Sequence, residues 1–109
     1  MFFGSIPAVI TPFKNHNIDY ESLHKIINHL ISNGSNGLVP CGTTGESPTL
    51  SHEEHKKVIE ETIKINDRRV PIIAGTGSNN TKEAIDYTKH AESVGANAAS
   101  APLLSACFV

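Results

Sequence analysis

Apolar residues follow two alternating patterns along this chain: short β-rich runs, and longer segments with one apolar face. The short runs predict strands at residues 5–10, 37–40, 70–74 and 96–101. Runs that are almost wholly apolar and bounded by glycine or proline are typical of strands in a parallel sheet, which is buried on both faces. Because a helical segment separates each strand from the next, the predicted element order is βαβαβαβ.

The three helical segments carry the signals that begin and end helices. The first is predicted to be capped by Asp19 and to stop at Gly34. Its apolar face is made of Leu23, Ile26, Ile27, Leu30 and Ile31. The second begins at Ser51, where Glu54 completes a capping box. Its predicted buried face is Val58, Ile59, Thr62 and Ile63.

The third helix is predicted to be capped by Thr81 or Asn80 and to end at Gly95. The residues expected to face inward are Ala84, Ile85, Thr88 and Ala91. With right-handed crossovers, three such helices between four parallel strands make either part of a barrel or an open doubly wound sheet. Hydrophobic periodicity alone does not distinguish these two architectures.

Composition and charge then narrow the class of protein. The chain has 109 residues, a net charge of −2 and 39% hydrophobic residues. It has no basic run that would attract nucleic acid and no apolar stretch near the ~20 residues that cross a bilayer. Its start lacks the charged and apolar regions of a signal peptide, so we expect a cytoplasmic location. Cys41 and Cys107 lack metal-ligand spacing and are expected to be reduced thiols, with no metal site.

Candidate chemistry lies in the loop Gly42-Thr43-Thr44-Gly45-Glu46, between the second strand and the second helix. A parallel barrel keeps its chemistry at the carboxyl ends of its strands, and glycines let a backbone approach a small anion closely. The loop lacks the Gly-Lys-Ser/Thr ending of a phosphate-binding loop. From these residues alone, the two threonines are either turn residues or groups that hold a carboxylate and relay a proton.

Four sequence blocks, with the spacing between them, resemble the dihydrodipicolinate synthase family of pyruvate-dependent Schiff-base lyases in lysine and diaminopimelate biosynthesis. The blocks are Met1-Phe2-Phe3-Gly4-Ser5-Ile6, Ala8-Val9-Ile10-Thr11-Pro12-Phe13, Cys41-Gly42-Thr43-Thr44-Gly45-Glu46-Ser47-Pro48-Thr49-Leu50 and Val70-Pro71-Ile72-Ile73-Ala74-Gly75-Thr76-Gly77-Ser78-Asn79. The paired threonines favour this group over the related sialate lyases, whose loop more often reads Gly-Ser-Thr-Gly-Glu.

The resemblance implies a fold, an assembly and a substrate. The fold is the (β/α)8 TIM barrel, which needs roughly 250 residues. The chain is therefore expected to form the incomplete N-terminal half of a barrel. Residues 1–99 are the predicted partial domain and residues 100–109 a divergent tail. The family forms homotetramers, uses pyruvate and needs no cofactor.

The resemblance also implies roles for individual residues. Thr43 matches the threonine of a proton relay, and Thr44 matches the threonine that contacts the pyruvate carboxylate. In family members inhibited by lysine, an allosteric lysine site at a subunit interface matches Ser47, His52, His55, Asn79 and Glu83. From sequence alone, His52 and His55 are interpreted as solvated helix residues.

The chain departs from the family after Ala99. Pro102-Leu103-Leu104 stands where the family has proline followed by two tyrosines, a change that one inserted nucleotide would produce. The family's Schiff-base lysine has no match among these residues. The seven lysines present are predicted to be surface charges, at Lys14, Lys25, Lys56, Lys57, Lys64, Lys82 and Lys89.

Two hypotheses follow from the sequence. The chain is either part of a lyase and inactive by itself, or a non-catalytic binding or regulatory protein that keeps the half barrel. In both cases we expect self-association, because an open barrel exposes inner strand residues and the edge of its last strand. The inner residues expected to be exposed are Ile6, Ala8, Val39 and Ile72, or their alternates.

Overall fold

The computed structural model of the chain describes residues 6–41, 50–76, 81–101 and 104–107. Seven strands and three helices lie in this part of the chain. Their order is β1 (Ala8–Val9), β2 (Phe13–Lys14), β3 (Asn17–Ile18), α1 (Tyr20–Ser32), β4 (Val39–Pro40), α2 (His52–Asn66), β5 (Ile73–Gly75), α3 (Thr81–Val94), β6 (Ala98–Ala101) and β7 (Leu104–Cys107).

The four strands predicted from sequence form one parallel sheet in the order β1, β4, β5, β6. β1 pairs with β4, and β5 pairs with β6. A parallel bridge between Leu38 and Ile72 joins the two pairs, with the Ile73 amide donating to the Leu38 carbonyl at 2.9 Å. The predicted alternation of strands and helices is confirmed, although each strand is shorter than its apolar run.

The hydrophobic core lies between this sheet and the helices. Alternate strand residues point into it, namely Val9, Leu38, Ile72 and Ala74, each at most 1% exposed. The helices supply Leu23, Ile27, Val58, Ile59 and Ala91. Of the two alternates expected on the open face, Ile72 is buried and its neighbour Ile73 is the one that is partly exposed. Successive side chains of a strand point to opposite faces of the sheet, so only one of two adjacent isoleucines can be buried against the helices.

The predicted helix caps are confirmed where the structure describes them. The Asp19 carboxylate accepts from the Ser22 amide at 3.1 Å. Ser51 and Glu54 form the capping box, with distances of 3.1 and 2.9 Å. Gly34 and Gly95 follow α1 and α3 with φ of +89° and +102°, where a side chain would be strained. None of the helices in the described residues is long and apolar enough to cross a bilayer.

The inward face predicted for α3 is partly wrong. Ala84, Tyr87 and Ala91 are buried, whereas Ile85 is 44% exposed. Thr88 is half-buried. Because Tyr87 is buried, the inward face of α3 is centred on Ala84, Tyr87 and Ala91, and Ile85 lies outside it. The helix begins at Thr81, and the other predicted cap, Asn80, lies outside the described residues.

A hairpin that sequence periodicity did not predict connects β1 to α1. β2 and β3 pair in antiparallel fashion around Asn15 and His16, whose φ angles are +52° and +67°. Two consecutive left-handed residues are what a tight two-residue hairpin turn requires, and asparagine tolerates that conformation well. Each strand has only two residues, too few for an alternation to be read from the sequence.

The far edge of the sheet also differs from expectation. β7 pairs with β6 in antiparallel fashion, with Ala98 opposite Cys107 and Ala101 opposite Leu104. The edge of β6 is thus paired, contrary to the expectation that the last parallel strand keeps a free edge. The chain reverses direction here and pairs with itself, since an antiparallel neighbour needs only a short turn whereas a parallel one needs a crossover.

One buried imidazole holds the second helix against the sheet. His55 is 1% exposed, although sequence alone suggested a solvated position. Its Nε2 lies 2.6 Å from the Gly75 carbonyl oxygen at the end of β5. Since a carbonyl can only accept, Nε2 carries the proton. The ring also stacks on Tyr87 of α3, with centroids 3.9 Å apart.

We expect this arrangement to make the stability of the fold depend on pH. Burial lowers the pKa of His55 below its usual value of 6.5. Between the lowered pKa and 6.5, the ring is therefore mostly neutral in the folded protein and mostly protonated in the unfolded chain. We therefore expect the free energy of unfolding to fall as pH drops below 6.5 towards the lowered pKa. Urea titrations over this range measure the change. His55→Gln should flatten the profile, and His24→Gln, at an exposed position on α1, should leave it unchanged. Equal slopes for wild type and His55→Gln would contradict the assignment.

Candidate functional site

The loop that carries the paired threonines follows Cys41, a buried residue at the carboxyl end of β4. Cys41, the residue after the strand, is 2% exposed and has a left-handed φ of +59°. Its thiol donates to the His55 carbonyl oxygen at 3.6 Å. Burial raises the pKa of this thiol to about 12. Cys41 is therefore a neutral packing residue, since only the thiolate is a good nucleophile.

The other end of the same loop is fixed by the cap of α2. Ser51 and Glu54 exchange hydrogen bonds there, which sets the direction in which the chain enters the helix. Thr43, Thr44 and Ser47 lie in the intervening loop, at residues 42–49, outside the described residues. The loop that holds them thus begins at the carboxyl end of a barrel strand, where this architecture places catalytic groups.

A second loop leaves the same edge of the sheet after β5. Thr76, fully buried, follows the strand and receives a hydrogen bond from the Thr88 hydroxyl at 3.2 Å. Asn79 lies in the next segment, residues 77–80, outside the described residues. His55 contacts both loop origins, through Cys41 and through Gly75. One helix residue therefore contacts the starting points of both loops.

Of the five residues predicted for an allosteric site, the structure describes three and brings them together between α2 and α3. His52 Nδ1 lies 3.8 Å from the Glu83 carboxylate. The rings of His52 and His55 both stack on Tyr87, with centroid distances of 4.7 and 3.9 Å. His52, His55 and Glu83 thus form one cluster around an aromatic ring.

Two further residues complete the cluster and were missed from sequence. Asp86 lies 2.9 Å from His52 Nε2 and 2.8 Å from the Lys56 ammonium group. Tyr87, 4% exposed, is the ring on which both imidazoles stack. The available signal was spacing: three and four residues separate the side chains on each helix, so His52, His55 and Lys56 share one face, as do Glu83, Asp86 and Tyr87.

The electrostatics of the cluster are dominated by its carboxylates. Burial, together with the Glu83 charge and a hydrogen bond to it, raises the pKa of Tyr87 to about 12, so the phenol stays protonated. The hydrogen bond from Lys56, helped by one from His52, holds the pKa of Asp86 below its usual value, against the opposing effect of burial. At neutral pH the cluster offers carboxylates beside imidazole rings. Such a set suits a ligand that carries an ammonium group.

Comparison with known proteins places this geometry in a family. A profile of the Dihydrodipicolinate synthetase family matches residues 1–102. The 4-hydroxy-tetrahydrodipicolinate synthase of Roseobacter denitrificans is 61% identical over 99 residues, which are 91% of this chain and 34% of that protein. The Methanococcus aeolicus protein of the same name is 60% identical over 94 residues, 86% of this chain and 33% of that protein.

Solved structures show the same relationship. The dihydrodipicolinate synthase from Aquifex aeolicus superposes with a TM-score of 0.89 at 52% identity, over 92% of this chain and 34% of that one. The chloride-inhibited dihydrodipicolinate synthase from Acinetobacter baumannii, complexed with pyruvate, superposes with a TM-score of 0.89 at 49% identity, over 93% of this chain and 35% of that one.

The matched relatives are about three times as long as the stretch they share with this chain. Over that stretch, the parallel sheet and its outer helices follow the first part of a TIM barrel. With a profile match to residues 1–102, this chain belongs to the dihydrodipicolinate synthetase family.

Proposed function

We propose that this chain supplies the N-terminal part of a cytoplasmic lyase that condenses pyruvate with aspartate 4-semialdehyde. The observation that carries the proposal is the loop with Thr43 and Thr44 at the carboxyl end of β4, in a chain that belongs to this family. In this role Thr44 holds the pyruvate carboxylate and Thr43 takes part in a proton relay. Threonine hydroxyls suit both tasks, since they donate and accept hydrogen bonds.

We further propose that the 109 residues do not catalyse the reaction alone. A Schiff base needs an amine whose pKa is depressed inside a closed pocket. Apart from Lys14 on β2, every lysine lies on a helix, and none lies on the parallel strands. The pKa of Lys57 is raised by its hydrogen bond to Glu61, which is the wrong direction for a nucleophile.

The first test is chemical trapping of a Schiff base. Purified chain is incubated with pyruvate and borohydride, and its intact mass is measured. We expect no change in mass, because no lysine combines burial with a free amine. The Roseobacter denitrificans relative serves as the positive control. A stable pyruvyl adduct on any lysine of this chain would overturn the proposed inactivity.

The roles of the threonines are tested in a chimera. Residues 1–99, the proposed domain, are joined to the part of the Roseobacter denitrificans protein that follows its matched segment. We expect Thr44→Val to raise KM for pyruvate about 10- to 100-fold, the usual loss for a hydrogen bond to a charged group. Thr44→Ser, which keeps the hydroxyl, should stay near wild type. Thr43→Val should lower kcat instead. If Thr44→Val left KM unchanged, the binding role would be wrong.

A second function is supported by the cluster between α2 and α3. His52 and Glu83 lie 3.8 Å apart at the mouth of the cluster, with side chains 37% and 40% exposed. We propose that they bind the charged ends of lysine, together with Ser47 and Asn79, as a feedback site. His55 has a different part, because its Nε2 is engaged by Gly75 and its ring is buried. It positions α2 and is not expected to bind the ligand through Nε2.

Feedback binding is tested in the same chimera by lysine inhibition. Glu83→Gln removes the carboxylate that would pair with an ammonium group, and we expect the inhibitory lysine concentration to rise about tenfold or more. Glu92→Gln, at an exposed position on the same helix, is the matched control and should leave inhibition unchanged. Inhibition that survives Glu83→Gln at full strength would place the lysine site elsewhere.

A further inference from the structure

Asp86 and Lys56, which lie outside the proposed set of ligand-binding residues, form a charged pair beside His52. The ring nitrogen Nε2 of His52 lies 2.9 Å from Oδ2 of Asp86, and the Lys56 ammonium group lies 2.8 Å from the same oxygen. His52 and Lys56 are one turn apart on α2, whereas Asp86 belongs to α3. One carboxylate oxygen of α3 therefore receives two donors from the neighbouring helix.

Asp86 can only accept in these contacts. The hydrogen bond from Lys56, more than any other interaction, holds the pKa of Asp86 below its usual value, so the carboxyl group is ionised at neutral pH. An ionised carboxylate has no hydrogen to donate. The hydrogen in the contact between His52 and Asp86 therefore belongs to Nε2 of the imidazole.

The other ring nitrogen of His52 then has a lone pair. Stacking on Tyr87, with centroids 4.7 Å apart and planes at 26°, limits rotation of the imidazole away from Asp86. A neutral imidazole with its hydrogen on Nε2 is an acceptor at Nδ1. This Nδ1 lies 3.8 Å from the Glu83 carboxylate, which is too far for a hydrogen bond. Two hydrogen-bond acceptors thus lie beside each other.

We propose that Asp86, held by Lys56, is a positioning residue that keeps the hydrogen of His52 on Nε2, so that Nδ1 and Glu83 together accept one ammonium group. An ammonium group has three donors and no acceptor, so it can bridge the two. The inference rests on the proposed feedback site and specifies it, since an ammonium end of the ligand, and not its carboxylate, lies between His52 and Glu83. Asp86 and Lys56 act through His52 without contacting the ligand.

The opposite tautomer of His52 would disable the pair. With its hydrogen on Nδ1, the ring would direct a donor at Glu83 and at any ammonium group placed there, and two donors cannot bond to each other. Removal of the Asp86 carboxylate favours this tautomer, because the Lys56 ammonium group then becomes the charged neighbour of Nε2 and needs an acceptor there. The Lys56 side chain is only 22% exposed, so solvent screens its charge incompletely.

The tautomer is tested by nitrogen NMR of the histidine side chains in the full chain at about pH 8, where an unperturbed imidazole is neutral. Spectra are recorded in solution, or by magic-angle spinning of the sedimented protein if it self-associates. The signals of His52 are those lost in His52→Gln. We expect the hydrogen on Nε2 in the wild type and on Nδ1 in Asp86→Ala. Asp86→Glu keeps a carboxylate and should retain the wild-type tautomer. Glu92→Ala, which removes an exposed carboxylate elsewhere on α3, is the matched control and should also retain it.

The effect on the ligand is measured as lysine inhibition in the chimera that tests feedback binding. Asp86→Ala should raise the inhibitory lysine concentration about tenfold, the usual loss for a hydrogen bond to a charged group, and Asp86→Glu should restore it. Circular dichroism checks that each variant folds.

Three results would overturn the inference. They are a hydrogen on Nδ1 of His52 in the wild type, an unchanged tautomer in Asp86→Ala, and lysine inhibition that is present in the wild-type chimera and unaffected by Asp86→Ala. A chimera that lysine does not inhibit, in a protein whose tautomer reverses as expected, would count against the feedback site alone.

Discussion

The packing of the His55 side chain is the constraint on which the arrangement of this chain depends. Its imidazole donates to the last carbonyl of β5, its backbone carbonyl receives the Cys41 thiol at the end of β4, and its ring stacks on Tyr87 of α3. Two strand ends and two helices are therefore tied to one residue. A buried polar ring is tolerated at this position because its Nε2 has a partner; without one, desolvation would cost about 1 to 3 kcal/mol.

The proposed function depends on this arrangement through the loops. The loops of Thr43, Thr44 and Asn79 begin at the two strand ends that His55 contacts. The residues that face solvent in the same region, His52, Glu83 and Asp86, use the same two helices as their support. The proposed catalytic loop and the proposed regulatory cluster therefore share a scaffold. A change in how α2 packs on α3 would reach both.

The core and the open sheet face have opposite character for one physical reason. A strand in a barrel has one face towards the helices and one towards the barrel axis, and these faces are buried by different parts of the chain. The helix side is buried by α1, α2 and α3, which this chain contains, so Leu38 and Ile72 are inaccessible. The side of the sheet turned away from these helices carries Ala8 and Ile10, which are exposed.

The sequence by itself determined the alternation of strands and helices and the start and stop of the helices. These features rest on local signals: the capping box at Ser51, the aspartate cap at Asp19 and the left-handed glycines that follow α1 and α3. It also pointed to His52, His55 and Glu83, although only through the family resemblance. Tertiary structure alone decided the burial of His55, the exposure of Ile85, the β2–β3 hairpin and the return of β7 along β6. The burial of His55 and the exposure of Ile85 depend on contacts between segments far apart in sequence, and the β2–β3 hairpin is made of two-residue strands that carry no period. The return of β7 is a short-range pairing, with Ala101 opposite Leu104, in the part of the chain that the sequence predicted only as a divergent tail.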